Sequence, residues 1–452
     1  MRETISNQPS SQVEKQKNKT ESLDFILEKS KELGPEMIEN YREIHENPEL
    51  GGEEFETARK VKDYLQNLSI EIVGEGIGGS GIIARIKGKE GGPTIALRAD
   101  MDALPVQEAE SNSPRSQKDG VMHACGHDSH TAALMGAAKM LKELADKGEL
   151  NGSSILLFQP SEEKAHQKES GAVQMIKFLE KSGLRKNIDA FLGLHVFNSL
   201  ERGQVQLKEG VQLASSGEVD VILKGPGGHI INAYDTPSLH HIFSKLTLRL
   251  EEMFKPMEKK EEALVASART KYAGTGYNIL PAEAESTWVV RVTSPHFKEI
   301  SKSIEADIKR IANEVVAEHL KEIKEETGRT DIGNVDILIK KRPGYRPVVH
   351  RSPELVGIAD KSAEQVIDNY QKNEKLLMGG EDFSFYLENF QGKEIPGVFA
   401  MIGSANPEKG YPKTAHHTPD FKIDPDAIKD LAALYSNFTV NAIEYFKEKR
   451  DN

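Results

Sequence analysis

The chain has 452 residues, enough for two or more domains or one large domain with an insertion, because single cores stop growing beyond about 250 to 300 residues. Its 59 basic side chains are outnumbered by 71 acidic ones, the net charge is −12, and no basic stripe stands out, which argues against a nucleic-acid partner. No stretch reaches the ~18 to 20 apolar residues that span a bilayer and no apolar signal core is present, so no membrane partner is expected and the cytoplasm is the default compartment.

Residues 1–20 are polar and are expected to form a disordered leader. From 22 to 47, apolar Leu23, Ile26, Leu27, Leu33, Met37, Ile38, Tyr41 and Ile44 recur at near-helical spacing, interrupted at Gly34-Pro35. HENPELGGEE breaks the pattern, and an amphipathic helix follows at about 53–68. GEGIGGSG (74–81) matches the dinucleotide pattern G-x-G-x-x-G, but the alternating IIARIKG after it is a strand. A pyrophosphate needs a helix N-terminus there, so nucleotide binding is rejected.

TIALRA reads as a buried strand that ends in Asp100 and Asp102, and in open α/β sheets ligands bind at such strand ends. An Asx-type turn cap is the alternative. VMHACGHDSHT (121–131) then gathers a thiol, three imidazoles and a carboxylate. Cys125 is the sole cysteine, so no intramolecular disulfide can form, and its spacing from His127 suits a thiolate ligand beside an imidazole. With the segment extended, Cys125 and His127 face one side, while Gly126 lets the backbone pass close to an ion. A buried structural Cys is the competing reading. An Ala-rich helix is expected from Thr131 to Gly148.

SSILLFQPSEE (153–163) repeats the strand-then-acid arrangement with Glu162 and Glu163. Adjacent acids diverge in direction, so one can bind metal while its neighbour acts as a general base; an exposed acidic turn would look the same. AFLGLHV (190–196) is a third strand with His195 near its end, where a hydrogen-bonded core histidine is the competing reading. From about Ala214 the order is β-α-β-β-α-β, a ferredoxin-like unit, with the charged EHLKEIKEETGR read as a solvated connector. The expected organisation is therefore a catalytic domain in two parts, 21–212 and 344–452, interrupted by a lid or dimerisation domain over 213–343.

RADMDALP, GVMHACGHDSHTA, QPSEE, GLHV, GPGGH, GGEDF and HHTPDF occur in this order. Together they resemble the amidohydrolase branch of the co-catalytic dinuclear metallopeptidases, over about residues 35–446. That branch includes aminoacylase-like enzymes, hippurate hydrolases, auxin-conjugate hydrolases and some archaeal carboxypeptidases. The resemblance implies an α/β fold, with a mixed-sheet, zinc-peptidase-like catalytic domain interrupted by a ferredoxin-like α+β lid. It implies two divalent metal ions per subunit, Zn or Mn, held by Cys125, His127, Glu163, His195 and His417, with Cys125 bridging. It further implies Glu162 as general base, His229 as oxyanion stabiliser and Asn278 near the substrate carboxylate. The implied substrate is a small N-acyl amino acid or the C-terminal residue of a short peptide, and a homodimer through the lid is allowed. A non-catalytic metal- or peptide-binding homologue and a strict deacetylase of a biosynthetic N-acetyl amino acid are the alternatives.

The sequence departs from the branch in two places. IINAYD, with Tyr234, follows the lid's GGH, and charged KAHQKES follows the paired acids, where His166 is read as exposed. His240 and His241, on a predicted helix after Pro237, are read as surface or interface residues and not as ligands. His416 is passed over, because the branch's His-x-Pro pattern selects His417.

Overall fold

The computed structural model describes residues 10–163, 169–260, 263–272, 276–388 and 394–451. Helices α1 (Ser10–Glu32), α2 (Gly34–Glu46) and α3 (Phe55–Asn67) come first. Strands β1 (Glu71–Ile77), β2 (Gly81–Lys87) and β3 (Thr94–Asp100) follow, then α4 (His127–Asp146), β4 (Ser153–Gln159), α5 (Gly171–Lys181), β5 (Ala190–Glu201) and β6 (Gln204–Gln206). A middle stretch holds β7 (Ser215–Lys224), β8 (Gly228–His229), α6 (Leu239–Lys259), β9 (Ala263–Tyr272), β10 (Ile279–Leu280), β11 (Glu283–Val292), α7 (Phe297–Thr327) and β12 (Asp336–Pro343). The chain returns through α8 (Pro353–Val366), β13 (Gln371–Asn373), β14 (Gly397–Ala405) and α9 (Ala427–Asp451).

Two compact units result. The first comprises the described residues of Met1–Gly210, His350–Lys375 and Phe385–Asn452. The second comprises those of Val211–Val349 and Leu376–Ser384, so the GGED segment groups with the middle stretch, whereas the sequence reading leaves all of 344–452 with the catalytic part.

The first unit is built on one mixed eight-stranded sheet in the order β1-β2-β4-β3-β5-β14-β6-β13. Its centre, β4-β3-β5-β14, is parallel. Strands buried on both faces need apolar residues at nearly every position, and SSILLFQ, TIALRAD and GVFAMIGSA supply them. Helix α4 packs on α9, α2 and β3, joining Leu97, Leu156, Phe158, Leu192, Leu431 and Tyr435 in one core. Each such side chain contributes about 1.5–3 kcal/mol by leaving water.

The second unit has the sheet order β9-β11-β7-β12, antiparallel throughout, with α6 and α7 packed beside it. In the order of the four long strands this is 2-3-1-4, the ferredoxin-like arrangement expected. Trp288, Phe243, Leu246, Leu250 and Val315 centre its separate core.

Three local expectations are corrected. Helix α1 starts at Ser10, inside the stretch expected to be disordered. Gln, Glu and Lys are good helix formers, and once the apolar half of α1 is docked, extending it costs no new nucleation. Residues 1–9 lie outside the described set. Helix α7 continues through the supposed connector to Thr327, because His319 and Ile323 are buried and Glu318 and Glu322 pair with Arg249 and Lys245 of α6. Helix α4 begins at His127 rather than Thr131, with Asp128 in its first turn, where the positive end of the helix dipole favours an acid.

Candidate metal centre

Parallel pairing sets the site. Asp100 lies in register with Gln159, and Arg98 with Gly193, so the carboxyl ends of β3, β4 and β5 open to the same side. Asp102, Glu162 and Glu163 follow two of those ends, and His195 lies on the third. The Cys125 loop leads into α4 through Gly126, whose φ is +90°. A Cβ on Gly126 would lie 2.3 Å from Val196 Cγ2, so both space and conformation require glycine. A left-handed turn, and not the expected extended backbone, therefore brings Cys125 and His127 together. Two non-glycine residues beside the cluster also have left-handed backbone, Ser161 (φ 53°) and His417 (φ 63°). Each is held there, Ser161 by N–H donation to Glu54 Oε1 at 2.8 Å and His417 by donation to the Ala124 carbonyl at 2.8 Å.

The five residues implied as ligands converge. Cys125 Sγ lies 3.5 Å from His195 Nε2 and 3.3 Å from His417 Nε2, and His417 Nε2 lies 3.1 Å from Glu163 Oε1. Potential donor atoms of Cys125, His127 and His195 fall within 4.8 Å of one another, as do those of His127, Glu162 and Glu163. Glu162 is buried beside its neighbour.

Hydrogen bonding decides which ring nitrogens are available. His127 Nδ1 faces the Asp102 carbonyl at 2.9 Å and Asp102 Oδ1 at 3.2 Å, so Nδ1 carries the proton and the Nε2 lone pair is free. That Nε2 is buried without a hydrogen-bond partner. His195 Nδ1 donates to the Val196 carbonyl at 2.6 Å, which leaves its Nε2 toward the sulfur. His130 differs: Nδ1 donates to Asp100 Oδ1 at 2.6 Å and Nε2 accepts from Val196 N at 2.8 Å, so no lone pair remains. An orphaned imidazole nitrogen, a second oriented imidazole, a thiol and a carboxylate around one point fit a borderline divalent cation such as Zn or Mn, with the thiol as thiolate.

The surrounding polar groups were only partly legible. Asp102, whose role the sequence leaves open, also accepts from the Glu163 backbone N–H at 2.9 Å. Asp100 bonds Arg98 Nη1 at 2.6 Å; burial opposes its ionisation, yet Arg98, His127 and His130 hold its carboxyl well below the usual range. Behind α4, His45 bonds Asp128 (2.6 Å) and Glu108 (3.0 Å); against the cost of burial, the two acids raise it to about 9. Sequence reasoning missed this network, although a His in the helix-breaking HENPEL segment was a signal.

His229 and Asn278 lie in the second unit and meet there. His229 pairs with Ile279 in the β8/β10 ladder, and Ile230 N–H donates to the Asn278 carbonyl at 2.9 Å. Both side chains are exposed, in a rim that includes Ile231, Tyr234 and Tyr277. His240 packs on Tyr272 and His241 stacks on His319. His166 lies outside the described residues.

Residues 96–441 match Peptidase family M20/M25/M40. The chain is 32% identical over 417 residues to N-acetylcysteine deacetylase of Bacillus subtilis (strain 168), covering 91% of this chain and 98% of that protein. It is 32% identical over 403 residues to IAA-amino acid hydrolase ILR1-like 4 of Arabidopsis thaliana, covering 89% and 84%. The crystal structure of Bacillus subtilis YXEP protein, described as a dinuclear metal binding peptidase from the M20 family, superposes with a TM-score of 0.71 at 29% identity, covering 92% of this chain and 99% of that one.

Proposed function

The chain belongs to peptidase family M20/M25/M40 and is a metal-dependent amidohydrolase, and we propose that it cleaves N-acyl amino acids, or the C-terminal residue of short peptides, at the Cys125 cluster. The observation that carries the reading is the unpartnered, buried Nε2 of His127, aimed by Asp102 into a cluster that also holds a thiol and paired acids. Two divalent cations, Zn or Mn, held by Cys125, His127, Glu163, His195 and His417, would supply a water whose pKa is lowered toward ~7 and would polarise the amide carbonyl.

Glu162 is the general base. Its carboxylate takes a proton from the water as oxygen adds to the amide carbon, then delivers that proton to the leaving nitrogen as the C–N bond breaks, giving a carboxylate and an amine. His229 is assigned to the oxyanion; a donor of that kind is typically worth about 10²–10³-fold in rate. Asn278, which precedes β10 and whose carbonyl accepts from Ile230 N–H, is assigned to the substrate carboxylate. A non-catalytic homologue is disfavoured, because a decayed site would be expected to lose Glu162 or one of the five candidate ligands, and all are present.

The relative named N-acetylcysteine deacetylase favours N-acetyl substrates as a narrower second reading. A screen of N-acetyl, longer N-acyl and dipeptide substrates with Zn- and Mn-loaded protein separates the cases. Cleavage across several acyl groups supports the broad amidohydrolase, cleavage of a single N-acetyl amino acid supports the strict deacetylase, and no release of amino acid from any of them defeats both.

A further inference from the structure

His416 has an imidazole within reach of the Cys125 sulfur but no assigned part. It is partly buried, its ring stacks on Phe197 (5.4 Å between centroids, 19°), and Phe421 packs against it at 4.8 Å. Its Nε2 accepts a hydrogen bond from the Asn198 backbone N–H at 3.3 Å. A backbone amide can only donate, so Nε2 must present its lone pair and the ring's single proton sits on Nδ1. Nδ1 lies 3.7 Å from Cys125 Sγ, within reach for hydrogen bonding to sulfur. By contrast, His127 and His195 use Nδ1–H on oxygen acceptors and direct lone pairs into the cluster.

We propose that His416 is a positioning residue that donates Nδ1–H to the Cys125 thiolate, so that the sulfur is held by one hydrogen bond in addition to the cations it binds. The inference rests on the reading of Cys125 as a metal-binding thiolate. Hydrogen bonds from surrounding groups tune a metal-bound thiolate, and a neutral donor does so without adding charge. Asn198 fixes the tautomer, and Phe197 and Phe421 fix the ring plane. His417, the next residue, needs its left-handed backbone to turn the other way and present Nε2 to the same sulfur from 3.3 Å.

The test uses the full-length protein loaded with Co²⁺, whose thiolate-to-cobalt charge-transfer band reports the energy of the sulfur electrons. His416→Phe keeps an aromatic ring against Phe197 but removes the donor. The band should move to longer wavelength, and cobalt affinity, measured by chelator competition, should fall by about tenfold. His416→Asn places an amide N–H near the Nδ1 position and should return the band to the wild-type wavelength; His416→Ala should give the His416→Phe shift if the larger ring disturbs folding. A wild-type complex with no such band overturns the thiolate reading of Cys125, and this inference with it. A wild-type band that does not move in His416→Phe or His416→Ala overturns the inference alone and leaves His416 a packing residue or a cap for the Cys125 backbone.

Discussion

Asp102 is tied to Glu163 across the strand ends: its Oδ2 accepts from the Glu163 backbone N–H at 2.9 Å while its Oδ1 faces His127 Nδ1 at 3.2 Å. One carboxylate therefore orients candidate ligands from two different segments, the first residue of α4 and the loop after β4. Asp102→Ala should weaken zinc binding by about 10–100-fold, the usual cost of losing a group that aims a ligand. Chelator competition reads this directly, and an unchanged affinity would show that the two segments hold their own geometry.

Glu162→Gln should keep its metal and a near-normal KM while kcat falls by about 10² or more, because the amide cannot take a proton from water. Turnover at the wild-type rate, with metal content verified, would remove Glu162 from the mechanism.

Cys125→Ser should lose metal and activity together, since an un-ionised hydroxyl is a poor bridge between cations. Full metal content by elemental analysis would make Cys125 structural.

The sheet strands could be read from sequence because residues buried on both faces leave continuous apolar runs, as in TIALRA and SSILLFQ. Residue identity and spacing also pointed to Cys125, His127 and the acid pair, whereas His195 and His417 entered through the family resemblance. Contacts between distant segments could not be read that way. Nothing local to His416 says that Asn198 fixes its tautomer, and nothing local to His45 says that it joins Asp128 to Glu108. The start of α4 was misplaced because the segment through Gly126 was read as extended, when Gly126 is the left-handed residue that launches the helix.

His350 gives a pH signature away from the metal cluster. It is buried, its Nδ1 donates to the Lys208 carbonyl at 2.7 Å, and its Nε2 accepts from Phe399 N–H at 2.9 Å. Burial lowers it to about 4, so the fold binds the neutral ring and the unfolded chain takes up the proton first as pH falls. Stability fully present above pH 6.5 should thus be lost progressively between about 6.5 and 4, by roughly 3 kcal/mol from this group. Urea midpoints in EDTA at several pH values should show that slope in wild type and a shallower one in His350→Gln. Identical slopes would assign the acid sensitivity elsewhere.

The proposed part of His229 lends itself to a complementation experiment. His229 is exposed and follows Gly227 and Gly228, whose φ values of 60° and 143° are ones that other residues rarely adopt, so the segment is shaped by its glycines to present the imidazole outward. If that imidazole holds the oxyanion, His229→Ala should lower kcat and kcat/KM together with metal content intact, the pattern of an interaction made chiefly in the transition state. Whether it serves its own chain or a second copy is then separable. Mixing His229→Ala protein with Glu162→Gln protein leaves no intact site if each chain completes its own. If His229 acts across a dimer, exchanged pairs contain one site with wild-type residues at both positions, and activity should return toward about a quarter of the wild-type level at equal mixing with free exchange, since half of the pairs are mixed and each has one of two sites working. Activity that stays at the level of the separate variants, with exchange verified by labelled subunits, would exclude the cross-subunit arrangement, and a chain that sediments as a monomer while retaining full activity would exclude it as well.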